Sequence, residues 1–161
     1  MQPRTILLIE DNQPFADAVK DLLQQLWIDI TVYHVSCLRH AVMFLQKHHP
    51  SMVITDLYIP LDPVTDIHPE MVPCDLTDFT GDPRVTMHTV LDHVPWDTTV
   101  VAMSGYMTPL EGQEMLRLGS DGFLAKGSTA PLIQRELLEA WFRAEGRQAR
   151  LRVQEPQLVA S

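Results

Sequence analysis

The sequence predicts an α/β chain with a doubly wound parallel sheet. Two observations carry this. Strand-like and helix-like patterns alternate along the chain. Four short apolar runs also end on polar residues. Ile6–Ile9 runs into Glu10-Asp11, Met52–Thr55 into Asp56, Val100–Met103 into Ser104, and Gly122–Ala125 into Lys126.

The elements follow in order. A first strand is expected at about 5–9. The helix after it has Pro14 in its first turn and Phe15, Ala18, Val19, Leu22, Leu23 and Leu26 on one face. A strand rich in β-branched residues is expected at about 30–35. A second helix carries Leu38, Ala41, Val42 and Leu45 and stops before Pro50. A third strand covers 52–55. Residues 57–83 are rich in Pro and Asp and show no clear period. Asp82-Pro83 is an N-cap followed by proline at N1, and Met87, Val90, Leu91 and Val94 give the next helix an apolar face. A fourth strand follows at 99–103. Thr108-Pro109-Leu110-Glu111 is a capping-box pattern, and Gly119 closes that helix. After a fifth strand at 122–125, a last helix starts near Thr129-Ala130-Pro131. It is expected to bury Ile133, Leu137, Leu138, Trp141 and Phe142 and to run to about Arg152.

Bulk properties narrow the class. At 161 residues one domain is expected, with enough chain for a real core. The formal charge of −9 argues against a nucleic-acid-binding surface, which needs a basic stripe. No apolar run approaches membrane-spanning length, and no signal-peptide core is evident. Cys37 and Cys74 form no CxxC and read as reduced thiols of a cytoplasmic protein. The seven histidines show no zinc spacing. His48-His49 are expected to end the second helix, where partial positive charge suits the dipole.

In an open parallel sheet the C-terminal strand ends form one rim, where ligands sit. Glu10, Asp11, Asp56, Ser104 and Lys126 would converge there. Carboxylates suit a hard cation such as Mg²⁺. A lysine and a hydroxyl suit an anion. The set fits a phosphoryl group carried on an acid beside a metal ion. Each residue also has a plainer reading. Glu10-Asp11 could cap the first helix, Ser104-Gly105 could be turn chemistry, and Phe123 could be simple core.

The motifs LLIEDN, VITDLYIP, VVAMSGY and GFLAKGS, in this order, resemble the receiver domain of two-component response regulators over roughly residues 4–142. The resemblance implies a flavodoxin-like (βα)5 fold with strand order 2-1-3-4-5. It implies that Asp56 accepts a phosphoryl group from a sensor histidine kinase or phosphotransfer protein. Asp11 and Asp56 would ligate Mg²⁺ directly, Glu10 through water, and Tyr58 through its backbone carbonyl. Lys126 and Ser104 would bind phosphoryl oxygens, and Ser104 and Phe123 would form the switch.

The implied protein is a cytoplasmic, stand-alone chemotaxis-type receiver with a downstream protein target. It contacts neither DNA nor membrane directly, and a homodimer is compatible with the class. It would take up and shed phosphate without being a turnover enzyme. Residues 1–152 form the expected single domain, with an acidic insertion at about 57–83 and a flexible tail at 153–161. The insertion departs from the family. From Leu57 to Thr98 there are eight acidic residues and one arginine. Gly127 also stands where the family usually has a proline, on a cis bond, so a trans bond there could place Lys126 differently.

Three alternatives compete. A receiver-like adaptor working without phosphate is the nearest. An aspartyl-phosphate phosphatase would want a second Asp where Tyr58 stands. A dinucleotide-binding protein would want glycines after the first strand, where the chain reads Glu-Asp-Asn-Gln-Pro.

Overall fold

The computed structural model describes residues 2–63, 82–105 and 108–154. Five parallel strands and five helices alternate: β1 Thr5–Ile9, α1 Gln13–Leu26, β2 Thr31–Val35, α2 Leu38–Leu45, β3 Met52–Asp56, α3 Pro83–His93, β4 Thr99–Ser104, α4 Pro109–Leu118, β5 Gly122–Ala125 and α5 Ala130–Gln154. The strand order is β2-β1-β3-β4-β5, as expected.

The pleat sorts the core into two layers, because successive strand residues point to opposite faces. Ile6, Leu8, Met52, Ile54, Val101, Met103 and Leu124 pack with α1 and α5. Leu7, Ile9, Val53, Val100 and Ala102 pack with α2, α3 and α4. Both faces of the sheet are covered, which is why β1, β3 and β4 read as continuous apolar runs.

The helix starts follow from their caps. Asn12 accepts the Phe15 amide at 3.0 Å, so the first helix is capped by Asn12 and not by Glu10-Asp11. That leaves both acids for the rim. The expected capping box of Thr108 and Glu111 is present, and Gly119 closes α4 at φ 127°. Asp82 caps α3 with Pro83 behind it.

Some expectations need correction. In α1 Ala16 is buried and Ala18 is exposed, while Phe15, Val19, Leu22, Leu23 and Leu26 face the core as expected. Phe142 of α5 is 62% exposed, while Ala140 and Ala144 are buried. Small residues on that line let α5 lie close to β5. A Cβ on Gly122 would come within 2.7 Å of the Ala140 Cβ. α5 runs two residues past the expected Arg152. α2 ends at Leu45, so His48-His49 lie beyond it, and the His48 ring stacks on Tyr33 and Phe44. Most of the acidic insertion, residues 64–81, and the tail from 155 lie outside the described residues.

Candidate phosphoryl-binding site

Register brings the predicted residues to one rim. Ile9 pairs with Thr55, so Glu10 and Asp56 stand side by side one step further on. Asp56 pairs with Met103, and Ser104 pairs with Ala125, which Lys126 follows. The Lys126 amide donates to the Ser104 carbonyl at 3.1 Å, extending that pairing past the strand end. The alternation of the pleat continues into the site. Asp56 falls on the α1/α5 side with Ile54 and Met52. Ser104 falls on the other side with Ala102, as does Phe123.

Lys126 Nζ lies 2.8 Å from Asp56 Oδ2 and 2.6 Å from Glu10 Oε2. The contact to Asp56 is an aligned hydrogen bond. The contact to Glu10 is an ion pair whose geometry falls short of one. The Glu10 side chain is fully buried, and its other oxygen accepts the Asn12 amide at 2.9 Å. Asp56 Oδ1 accepts the Tyr58 amide at 3.1 Å. Asp11 is exposed beside them. One oxygen each from Glu10, Asp11 and Asp56 lies within 4.8 Å of the other two. With Asn12, Tyr58, Gly105 and Lys126 these residues line an open cleft of about 440 Å³.

The electrostatics follow from this crowding. Burial pushes the Glu10 carboxyl above its ordinary pKa, with Asp56 adding to the rise and Lys126 and the Asn12 amide opposing it. For Lys126, burial favours the neutral amine, but Asp56 and Glu10 together outweigh it and hold the ammonium above its ordinary range. The Tyr58 hydroxyl is raised by burial first, then by the carboxylates of Glu111, Asp56 and Asp82.

The backbone around Asp56 is pinned. The Thr86 hydroxyl of α3 donates to the Leu57 carbonyl at 2.9 Å, and the Leu57 amide donates to the Met103 carbonyl. The first amides of α2, Leu38 and Arg39, donate to the carbonyls of Pro60 and Leu61. The first residues of the insertion are thereby led towards the start of α2, where Arg39 pairs with Asp62. The described residues contain no cis peptide bond, so the Lys126–Gly127 link is trans. Lys126 nevertheless reaches both acids.

Ser104 is buried and does not line the cleft. The Phe123 ring lies on α4 at Gly112, where a Cβ would meet the ring at 2.4 Å. Gly112, His34 and Phe15 are neighbours that sequence reasoning did not single out for this region. His34 Nε2 hydrogen-bonds the Glu10 carbonyl at 2.7 Å. The Phe15 ring lies under Lys126, 4.9 Å from Nζ. For Gly112 a signal existed, a glycine inside a helical pattern. For His34 and Phe15 none did, because both contacts cross between elements.

No protein-family model matches this sequence, and no curated protein matches it. Solved structures do match in fold. A CheY-like response regulator receiver domain protein from Methanospirillum hungatei aligns at TM-score 0.65 and 13% identity, over 90% of this chain and 98% of that one. The signal receiver domain of a DNA-binding response regulator from Colwellia psychrerythraea aligns at TM-score 0.62 and 20% identity, over 84% and 96%. A response regulator from Burkholderia pseudomallei, solved with a phosphorylated aspartic acid, a calcium ion and citrate, aligns at TM-score 0.63 and 18% identity, over 91% and 72%. The chain has the receiver fold, a flavodoxin-like five-stranded parallel sheet. Among the described residues no helix is long and apolar enough to cross a membrane.

Proposed function

We propose that this chain is a phospho-accepting receiver of a two-component phosphorelay, with Asp56 as the acceptor. The observation that carries this reading is Lys126, held between Asp56 and Glu10 at the floor of a cleft that Asp11 also lines. A lone strand-end aspartate would not need a half-buried lysine from another strand.

The donor set tests well against a hard divalent cation. Three carboxylates converge, and Glu10 and Asp56 are buried while carrying only one ammonium between them. Glu10, Asp11 and Asp56, with the Tyr58 carbonyl, would hold Mg²⁺. Bound there, it supplies the positive charge that lets an anionic phosphoryl group approach.

In the transfer, an Asp56 oxygen attacks the phosphorus of a phosphohistidine. The new O–P bond forms as the N–P bond breaks. The bonding pair leaves on the imidazole nitrogen, which takes up a proton. Lys126 gives up its contact with the Asp56 oxygen and turns to a phosphoryl oxygen. Ser104, buried outside the cleft, would turn towards it to bind another phosphoryl oxygen and draw its loop inward, and Phe123 on the same side of the sheet would report the change to α4. The donor would be a sensor histidine kinase or phosphotransfer protein, and the output a cytoplasmic protein target. The chain would not be a turnover enzyme.

Incubation with acetyl phosphate and Mg²⁺, followed by intact mass spectrometry, tests this reading. A gain of one phosphoryl group that requires Mg²⁺ is expected. Uptake that ignores EDTA would argue against it.

A further inference from the structure

Lys126 has three neighbours for its ammonium: two carboxylates and one aromatic face. Glu10 Oε2 and Asp56 Oδ2 lie at 2.6 and 2.8 Å, and the Phe15 ring centroid at 4.9 Å. The two carboxylates are the groups that a cation and a phosphoryl group would claim. Phe15 carries no ligand atom, so neither a cation nor a phosphoryl group would claim it.

The ring is also well fixed. Phe15 is the third residue of α1, its amide is held by the Asn12 cap, and its side chain packs against the core on the α1/α5 face. An ammonium within about 6 Å of a ring centroid is attracted by the ring quadrupole, more strongly where water is partly excluded. The Lys126 side chain is only 21% exposed. A Cβ built on Gly127 would meet no atom within 4 Å, so no side chain packs on that side of the loop.

From this we infer that Phe15 is a positioning residue for Lys126: it keeps the ammonium over the cleft when the carboxylates change partners. The inference rests on the phospho-acceptor reading and adds a residue to it.

The experiment compares wild type with Phe15→Leu and Phe15→Tyr, using Mg²⁺ and beryllofluoride as the phosphoryl mimic. Fluorine NMR reads the bound mimic. The chain has three lysines, Lys20, Lys47 and Lys126, so lysine-labelled protein resolves the Lys126 ε-methylene. In wild type that signal should be shifted upfield by the ring, both with and without the mimic. Phe15→Leu should remove the shift and weaken beryllofluoride binding roughly threefold to tenfold. Its Mg²⁺ affinity should stay the same, since no ligand is lost. Phe15→Tyr should restore both the shift and the affinity, which mere loss of packing in the leucine variant would not explain.

If Phe15→Leu binds the mimic as tightly as wild type, or leaves the Lys126 shift unmoved, the role of Phe15 is overturned alone. If wild type binds no beryllofluoride with Mg²⁺, the acceptor reading falls and this role with it.

Discussion

Glu10 carries the electrostatic strain of the site. It is buried next to another acid, and the one ammonium it faces is shared. Its pKa is raised above the ordinary 4.5, so in the metal-free protein its contribution to stability is full below about pH 4.5. That contribution is lost as pH rises through the folded-state value. Glu10→Gln should therefore be more stable than wild type at pH 7 in EDTA, within the ~0.5–2 kcal/mol range common for single stabilising substitutions. The gap should close towards pH 4. Urea unfolding at the two pH values checks this, and a constant gap would mean that the Glu10 charge is not the cause. The same charge should matter in the opposite sense for metal. Asp11→Ala should weaken Mg²⁺ binding by about tenfold or more, the scale seen when metal-site residues are lost. Glu10→Ala should weaken it less, if its contact passes through water. Tyrosine fluorescence can follow the titration, because Tyr58 lines the cleft. Equal affinity in wild type and Asp11→Ala would remove Asp11 from the site.

Among the elements, α5 is held at two points along its length by different means. Near β5 it packs through Ala140 against Gly122. Further along, Arg147 makes a paired contact with buried Asp121 at 3.1 and 3.0 Å and donates to the carbonyls of Trp96 and Thr98. Asp121 in turn accepts the Val100 amide at 3.0 Å. Removing one partner would leave a buried carboxylate short of its counter-charge. Arg147→Ala should destabilise the protein by about 2–3 kcal/mol. It should leave phosphoryl uptake intact, because Asp121 precedes β5 and so lies at the opposite end of the sheet from Lys126. Calorimetry with a labelling assay at low temperature would show both, and a loss of labelling in folded protein would contradict the separation. This staple also marks how much the sequence could tell. Four of the five strands were legible because each is a short apolar run ending at a polar residue, and the helix starts because proline and cap residues are local signals. Arg143 and Arg147 both bind Asp121, by its backbone carbonyl and its carboxylate respectively, contacts between elements that no local pattern signals. Phe142 looked like core because helical period does not say which of two adjacent lines a short neighbour such as Ala140 will occupy. The site was legible for the same reason as the strands: its residues are strand ends. The contacts of Lys126 with Phe15 and of Glu10 with His34 bring together residues far apart in the chain, and no local spacing announces them.

For the whole molecule, charge and topology set how a donor arrives. The chain carries a formal −9, and eight of its acids lie between Leu57 and Thr98, the stretch that follows β3. An anionic small donor should meet a repulsive field that salt screens, with a Debye length of about 10 Å at 0.1 M. Labelling by acetyl phosphate at saturating Mg²⁺ should then speed up as sodium chloride rises from low concentration. A rate that falls or stays flat would mean that the field does not reach the cleft. The fold makes a sharper demand. Parallel order 2-1-3-4-5 places Asp56 between the acidic turn after β1 and the lysine after β5, and among the described residues no other acid holds that position. The most direct test is to label the protein with acetyl phosphate and Mg²⁺, reduce it with borohydride, and sequence its peptides by mass spectrometry. An acyl phosphate is reduced to an alcohol, so homoserine should appear at position 56, only there, and only when Mg²⁺ is present. Homoserine at Asp11 or elsewhere, or none after labelling that Asp56→Asn fails to abolish, would contradict the assignment of Asp56 as the acceptor.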